Sequence, residues 1–159
     1  MSRKTIERLL KSLIPMGGAM LLYACIWLIP DAMRFMALYW PEFRPLVTPT
    51  ILFGWAVALP IGAAMCIAYR IFHSIGHDQS FTFANAKRMR WISMLAFADF
   101  ILLLIGFAAT LPINIAHPIF LLCFTVAGFL CLAAAVCCLV LSKLLRQAAE
   151  LKEESDLTI

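Results

Sequence analysis

Apolar and polar positions fall in blocks along this chain rather than in a short period. Residues 12–30 carry no charge over 19 positions and residues 45–69 carry none over 25. Residues 91–142 hold a single formal charge, Asp99, in 52 positions. A helix needs ~20 apolar residues to cross the hydrocarbon core of a bilayer, so each of the first two runs predicts one crossing. The third predicts two, because Pro112-Ile113-Asn114-Ile115-Ala116-His117-Pro118 interrupts it. Proline removes an amide donor and turns the preceding residue away from helix. Spans are expected near 10–30, 50–72, 87–111 and 118–146, in one domain over 1–159 with a tail at 147–159. The expected fold class is all-α: an integral membrane four-helix bundle, both termini cytoplasmic, with the C-terminal helix extending into the cytoplasm.

Composition makes lipid the solvent. Hydrophobic residues are 64% of the chain and charged residues 14%, against about 45–50% and about 25% in soluble proteins. Only 22 Asp, Glu, Lys and Arg are present, too few to clothe a soluble domain of 159 residues. A cleaved signal peptide is the rival reading of the first run. That run exceeds a typical signal core, and Trp27-Leu28-Ile29-Pro30-Asp31 is too bulky for a cleavage site. The first helix is therefore expected to be retained.

Charge sets the orientation. Arg3, Lys4, Arg8, Lys11, Arg70, Lys87, Arg88, Arg90, Lys143, Arg146 and Lys152 fall on one side, and Arg34 and Arg44 on the other. Basic residues stay cytoplasmic, so both termini and the middle loop are expected inside a bacterial inner (plasma) membrane. The outer face is then a loop near 31–49 and the turn near 112–118. Phe35, Tyr39, Trp40 and Phe43 in that loop suit the headgroup zone, where a ring is dry on one side and wet on the other. Interfacial anchoring, with a short helix on the outer surface, is favoured over a ligand-binding aromatic patch.

Little in the chain points to catalysis. Cys25, Cys66, Cys123, Cys131, Cys137 and Cys138 all fall inside expected spans, without zinc or CxxC spacing, and read as small, soft fillers. His73 and His77, four apart with Asp78 following, share a helical face, but Gly76 lies between them and His117 belongs to the other side. Solvated loop histidines are the simpler reading. No phosphate loop, nucleophile elbow, zincin or dinucleotide motif occurs. No enzyme activity, cofactor or metal is expected. Asp99 is the sole acid inside a span, and such a residue turns to the bundle interior. Hydrogen bonding to Ser93, Thr125 or a carbonyl is favoured over a proton or cation relay, for which the chain offers no second charge at that depth. The small stretches Gly62-Ala63-Ala64 and Ala133-Ala134-Ala135 allow close helix contact.

Two polar segments carry more pattern. In Ser80-Phe81-Thr82-Phe83-Ala84-Asn85-Ala86-Lys87-Arg88-Met89-Arg90-Trp91, Thr82 is a good N-cap for the third span. Lys87, Arg88 and Arg90 form a basic collar, each worth ~1 kcal/mol of attraction to anionic headgroups. The tail places Leu144, Ala148 and Leu151 on one helical face and ends, after Asp156, on uncharged Leu157-Thr158-Ile159. An end of that kind reads either as a docking segment or as a frayed terminus.

These two segments resemble a known family. Asp78-Gln79-Ser80-Phe81-Thr82-Phe83-Ala84-Asn85-Ala86-Lys87-Arg88-Met89-Arg90 is similar to the G-x-P-F-T-x-E-N-x-K/R-R-L-R stretch of a bacterial membrane family, domain of unknown function 2975. Ala148-Ala149-Glu150-Leu151-Lys152-Glu153-Glu154-Ser155-Asp156-Leu157-Thr158-Ile159 is similar to its A-x-x-L-K/R-x-E-x-D-L-T-V/I ending. Ser80 stands where proline is common and Ala84 where an acid is common. The resemblance implies four spans, no known enzymatic activity, and association with small helix-turn-helix regulators.

The expectation is a regulatory, sensing or adaptor protein that acts on such a regulator through its cytoplasmic loop and tail. Its contact residues would be Phe81, Thr82, Asn85, Arg88, Leu151, Asp156, Leu157 and Ile159. Its partners are then the bilayer and the regulator, without direct nucleic-acid binding, and with a homo-oligomer left open. The alternative is an oligomeric small-solute or proton pathway using Asp99, since four helices are few for an internal pore. The charge asymmetry makes a direct prediction: alkaline phosphatase fused after residue 159 should be inactive in cells and a fluorescent protein fused there bright. An active phosphatase at that position would reverse the orientation.

Overall fold

The computed structural model describes residues 3–75, 82–111 and 118–157, with side chains described over 12–74, 82–111 and 121–154. All regular structure among the described residues is helical. The helices are α1 (Arg3–Tyr23), a π-helical turn (Ala24–Leu28), α2 (Ile29–Tyr39), a 3-10 turn (Pro41–Leu46), α3 (Val47–Ile75), α4 (Phe83–Thr110) and α5 (Pro118–Leu157). Among the described residues, four stretches are long and apolar enough to cross a membrane, with mean hydropathy from 1.8 to 2.6. The expected turn at 112–117, together with His77, Asp78, Phe81, His117 and Ile159, lies outside the described residues.

The bundle is inside out by the standards of a soluble protein. Leu38, Leu59 and Phe129 are 74%, 72% and 70% exposed, while Asn85, Ser93, Asp99 and Ser142 are buried. In water such an apolar exterior would drive aggregation. In lipid it is the natural solvent contact, and polar groups belong inside where neighbouring helices satisfy them. The protein is a multi-pass membrane protein.

The helices outrun the apolar runs. The first rod continues past Asp31 and Arg34 to Tyr39, which removes most of the loop expected at 31–49. Asp31 and Arg34 lie one turn apart on the exposed face, 3.9 Å from each other, so the rod carries both charges without burying them. The chain then reverses through Trp40 and the 3-10 turn, with Phe43 tucked inward at 5% exposure. Near the middle of the rod, the Ile29 N–H donates to the Ala24 carbonyl five residues back. This widened turn immediately precedes Pro30, whose ring would crowd a regular α-helical carbonyl four residues earlier. Against α3, the Gly17 position meets Met65 and the Gly54 position meets Ile29. Twelve residues separate Gly17 from Ile29 and eleven separate Gly54 from Met65. The extra residue is accommodated in the π turn.

The tightest pairing is α4 against α5. Ser142 Oγ donates to the Ala86 carbonyl at 2.8 Å, Ser93 Oγ donates to the Ala135 carbonyl at 2.7 Å, and Gly128 faces Phe100. Each step is seven residues on both helices, in opposite directions. The α5 side of this seam is Gly128, Ala135 and Ser142, and the same seven-residue spacing continues to Ala149; all four are small and buried. Close approach of backbones plus interhelical hydrogen bonds drives helix association in lipid, at about 0.6 kcal/mol per polar contact. Of the small stretches singled out in sequence, Ala135 takes part in the seam, whereas a Cβ added at Gly62 would meet nothing within 4 Å.

Overpacking a seam of this kind costs about 1–3 kcal/mol. Ala135→Leu should therefore lower the thermal stability of the detergent-solubilised protein, while Ala134→Leu on the adjacent exposed face should leave it unchanged. Equal effects of the two substitutions would contradict the seam.

Candidate functional site

The basic end of the bundle is organised around the start of α4. Thr82 has extended backbone and its side chain accepts from the Asn85 N–H at 3.4 Å, so it caps the helix as its sequence position implies. Asn85 is 1% exposed. Its Nδ2 donates to Ser74 Oγ on α3 at 3.1 Å, and its Oδ1 accepts from the Arg88 guanidinium at 3.0 Å. A buried amide left without partners costs about 1–3 kcal/mol, so this network fixes how α3 and α4 meet. Of the contact residues expected from sequence, Thr82 and Arg88 are half-buried and adjoin this network. Asn85 is a correction: it is spent inside the bundle and offers no surface to a partner. Ser74, its α3 partner, gave no signal in sequence, since an isolated serine near a helix end has no pattern of its own.

The tail stands apart from this network. α5 runs unbroken through residues 147–157, the continuous C-terminal helix expected from sequence. Leu144 and Leu151 are 55% and 67% exposed, while Ala149 on the seam side is buried. Arg146 Nε and Glu150 Oε1 pair at 2.9 Å across one turn, an exposed contact of small energetic weight. Asp156 and Leu157 belong to the helix by backbone, and their side chains lie outside the described residues. By the seam register, Arg90 is level with Cys138. Leu151 is thirteen residues further on, ~20 Å beyond the level of Arg90 at helical rise.

Asp99 occupies the middle of the bundle at 2% exposure, and its Oδ1 has no hydrogen-bond partner. The two hydroxyls expected to reach it are committed elsewhere. Ser93 bonds Ala135 across the seam, and Thr125 Oγ1 donates to the Leu121 carbonyl of its own helix at 2.7 Å. The α3–α4 register runs from Asn85 on Ser74 to Gly106 on Phe53, twenty-one residues apart on both helices. Counting fourteen from either Asn85 or Ser74 brings Asp99 level with Pro60, the proline inside α3.

Among the described residues, no group of three His, Cys, Asp or Glu is placed to share a metal ion. His73 is exposed. All six cysteines are free, with Cys25 buried and Cys66, Cys123 and Cys137 facing outward.

Against known proteins, the family described as "Protein of unknown function (DUF2975)" matches residues 31–159, from within α2 to the end of the chain. The chain belongs to this family. The matched stretch holds α3, the Asn85 network, Asp99, the seam and the tail, and leaves out α1 and the π turn. A curated relative is "Uncharacterized membrane protein YoaS" of Bacillus subtilis (strain 168). It is 24% identical over 156 residues, covering 94% of this chain and 95% of the relative. No solved structure matches.

Proposed function

We propose that this member of the DUF2975 family is a membrane-bound regulatory or sensing adaptor that engages a small soluble regulator through its C-terminal helix. The observation that carries this reading is the extension of α5 past the start of α4, with Leu151 67% exposed ~20 Å past the level of Arg90. The bundle leaves this leucine uncovered while Ala149 beside it is buried. From residue 147 onward the helix and its end carry Glu150, Glu153, Glu154 and Asp156 against one Lys152. An acidic strip with an apolar line suits a basic, partly apolar partner surface, and proteins that bind nucleic acid carry such basic surfaces. The small helix-turn-helix regulators implied by the sequence resemblance fit that chemistry. Direct nucleic-acid binding by the acidic tail does not.

In this reading both termini and the middle loop face the cytoplasm of a bacterial inner membrane, following the distribution of Lys and Arg. Thr82, Arg88, Leu151, Asp156 and Leu157 remain the contact residues, with Phe81 and Ile159 from the sequence. No catalytic, metal or cofactor role is assigned.

A second reading, an oligomeric small-solute or proton pathway, draws on the buried, unpartnered Oδ1 of Asp99. It requires flux through liposomes holding the wild-type protein that vanishes in Asp99→Asn; no flux in either form removes it. The adaptor reading is tested on the full chain in detergent. A small basic soluble protein should co-purify with the wild type and be lost on Leu151→Glu or on deletion of 155–159. Equal recovery with all three proteins would overturn it.

A further inference from the structure

At the end of the bundle opposite the basic collar lies a cavity of about 490 Å³. It is a half-open hollow between α2, the 3-10 turn, α3, α4 and α5, and its walls include Met33, Phe43, Phe53, Gly106, Phe124 and Ala127. Its size falls in the range of small-molecule sites, roughly 300–1,000 Å³, which are mostly apolar with a few placed polar groups. No Lys, Arg, His, Asp or Glu lines it. The 3-10 turn contributes Phe43 to this space, and Gly106 lets the Phe53 ring pack closely against α4. A Cβ at Gly106 would collide with the Phe53 ring.

On α4 the cavity is lined by Leu103, Gly106, Ala109 and Thr110. Leu103, Gly106 and Thr110 follow Asp99 at four, seven and eleven residues, which is one face of an α-helix. Asp99 therefore stands on the stripe that lines the cavity, one turn deeper toward the bilayer centre. Two independent features meet on this stripe: a built apolar chamber, and a carboxylate 2% exposed whose Oδ1 has no partner.

We propose that the cavity and Asp99 together form a binding site for a lipophilic organic cation, with its apolar body in the chamber and its charge stabilised by the Asp99 carboxylate. A lone ionised carboxylate at this depth is costly, and a cation arriving in an apolar shell offsets that cost without needing a charged side chain. Phe43, Phe53 and Phe124 line the chamber, and aromatic faces attract cations but not anions. A neutral hydrocarbon would fill the chamber equally well but would leave Asp99 unanswered, so the cation is the occupant that uses both features. This site is independent of the adaptor reading, because its occupancy can be read without any soluble partner.

The test uses the full chain in detergent with two ions of one shape and opposite charge, tetraphenylphosphonium and tetraphenylborate, followed by equilibrium dialysis. Saturable binding of the cation at one per chain is expected, with at least tenfold weaker binding of the anion. Asp99→Asn should weaken the cation at least tenfold, and Ala127→Phe, which fills the chamber, should do the same. Helix content and elution volume identify any variant that fails to fold, and wild-type discrimination between the two ions tests the site without variants. Equal binding of both ions, absence of cation binding, or a folded Asp99→Asn that binds like the wild type would overturn the proposal.

Discussion

Two serine hydroxyls fix the geometry on which this molecule depends. Ser93 and Ser142 each reach across from one long helix to a backbone carbonyl of the other, seven residues apart in antiparallel register. In a bilayer, apolar side chains gain little by meeting each other rather than lipid, so close backbone contact and such bonds must hold the helices together. Small residues every seventh position on α5 let the backbones approach closely enough for both bonds to form. The rest of the bundle is arranged around that pair: α3 leans on α4 through Ser74–Asn85 and Phe53–Gly106, and the first rod leans on α3 through Gly17 and Gly54.

The layers of the fold differ in how they were written into the chain. Four crossings are plain from charge-free runs, because burying charges in lipid is expensive and the chain avoids it. Helix ends were less legible. Asp31 and Arg34 read as the end of a span, yet a helix tolerates charges on an exposed face, and α2 continues to Tyr39. The Thr82 cap was readable, since one side-chain acceptor three residues from its donor is a local feature. Asn85 was readable as distinctive but not as buried, because its partners Ser74 and Arg88 are chosen by how α3 meets α4. Asp99 was legible as interior. That its Oδ1 lacks a partner depends on where Ser93 and Thr125 point, which composition does not encode.

The two ends of the bundle are chemically unlike. Toward the basic collar the helices meet through hydroxyls, an amide and a guanidinium as well as buried Ile71 and Ala86. Toward the other end they surround a half-open apolar chamber bordered by the 3-10 turn, and rings meet there instead of polar groups, Phe53 and Phe107 each packing on Phe124. Asp99 lies between these regimes.

The π turn at Ala24–Leu28 has its own consequence. One surplus residue rotates everything after it by about 100° relative to an unbroken α-helix. The first rod therefore presents different phases to α3 below and above the turn, and both meet α3 closely, one at Gly17 and the other at Ile29. The turn thus acts as a vernier between two halves of one helix, setting the angle at which Met33 closes over the chamber independently of how the lower half is seated.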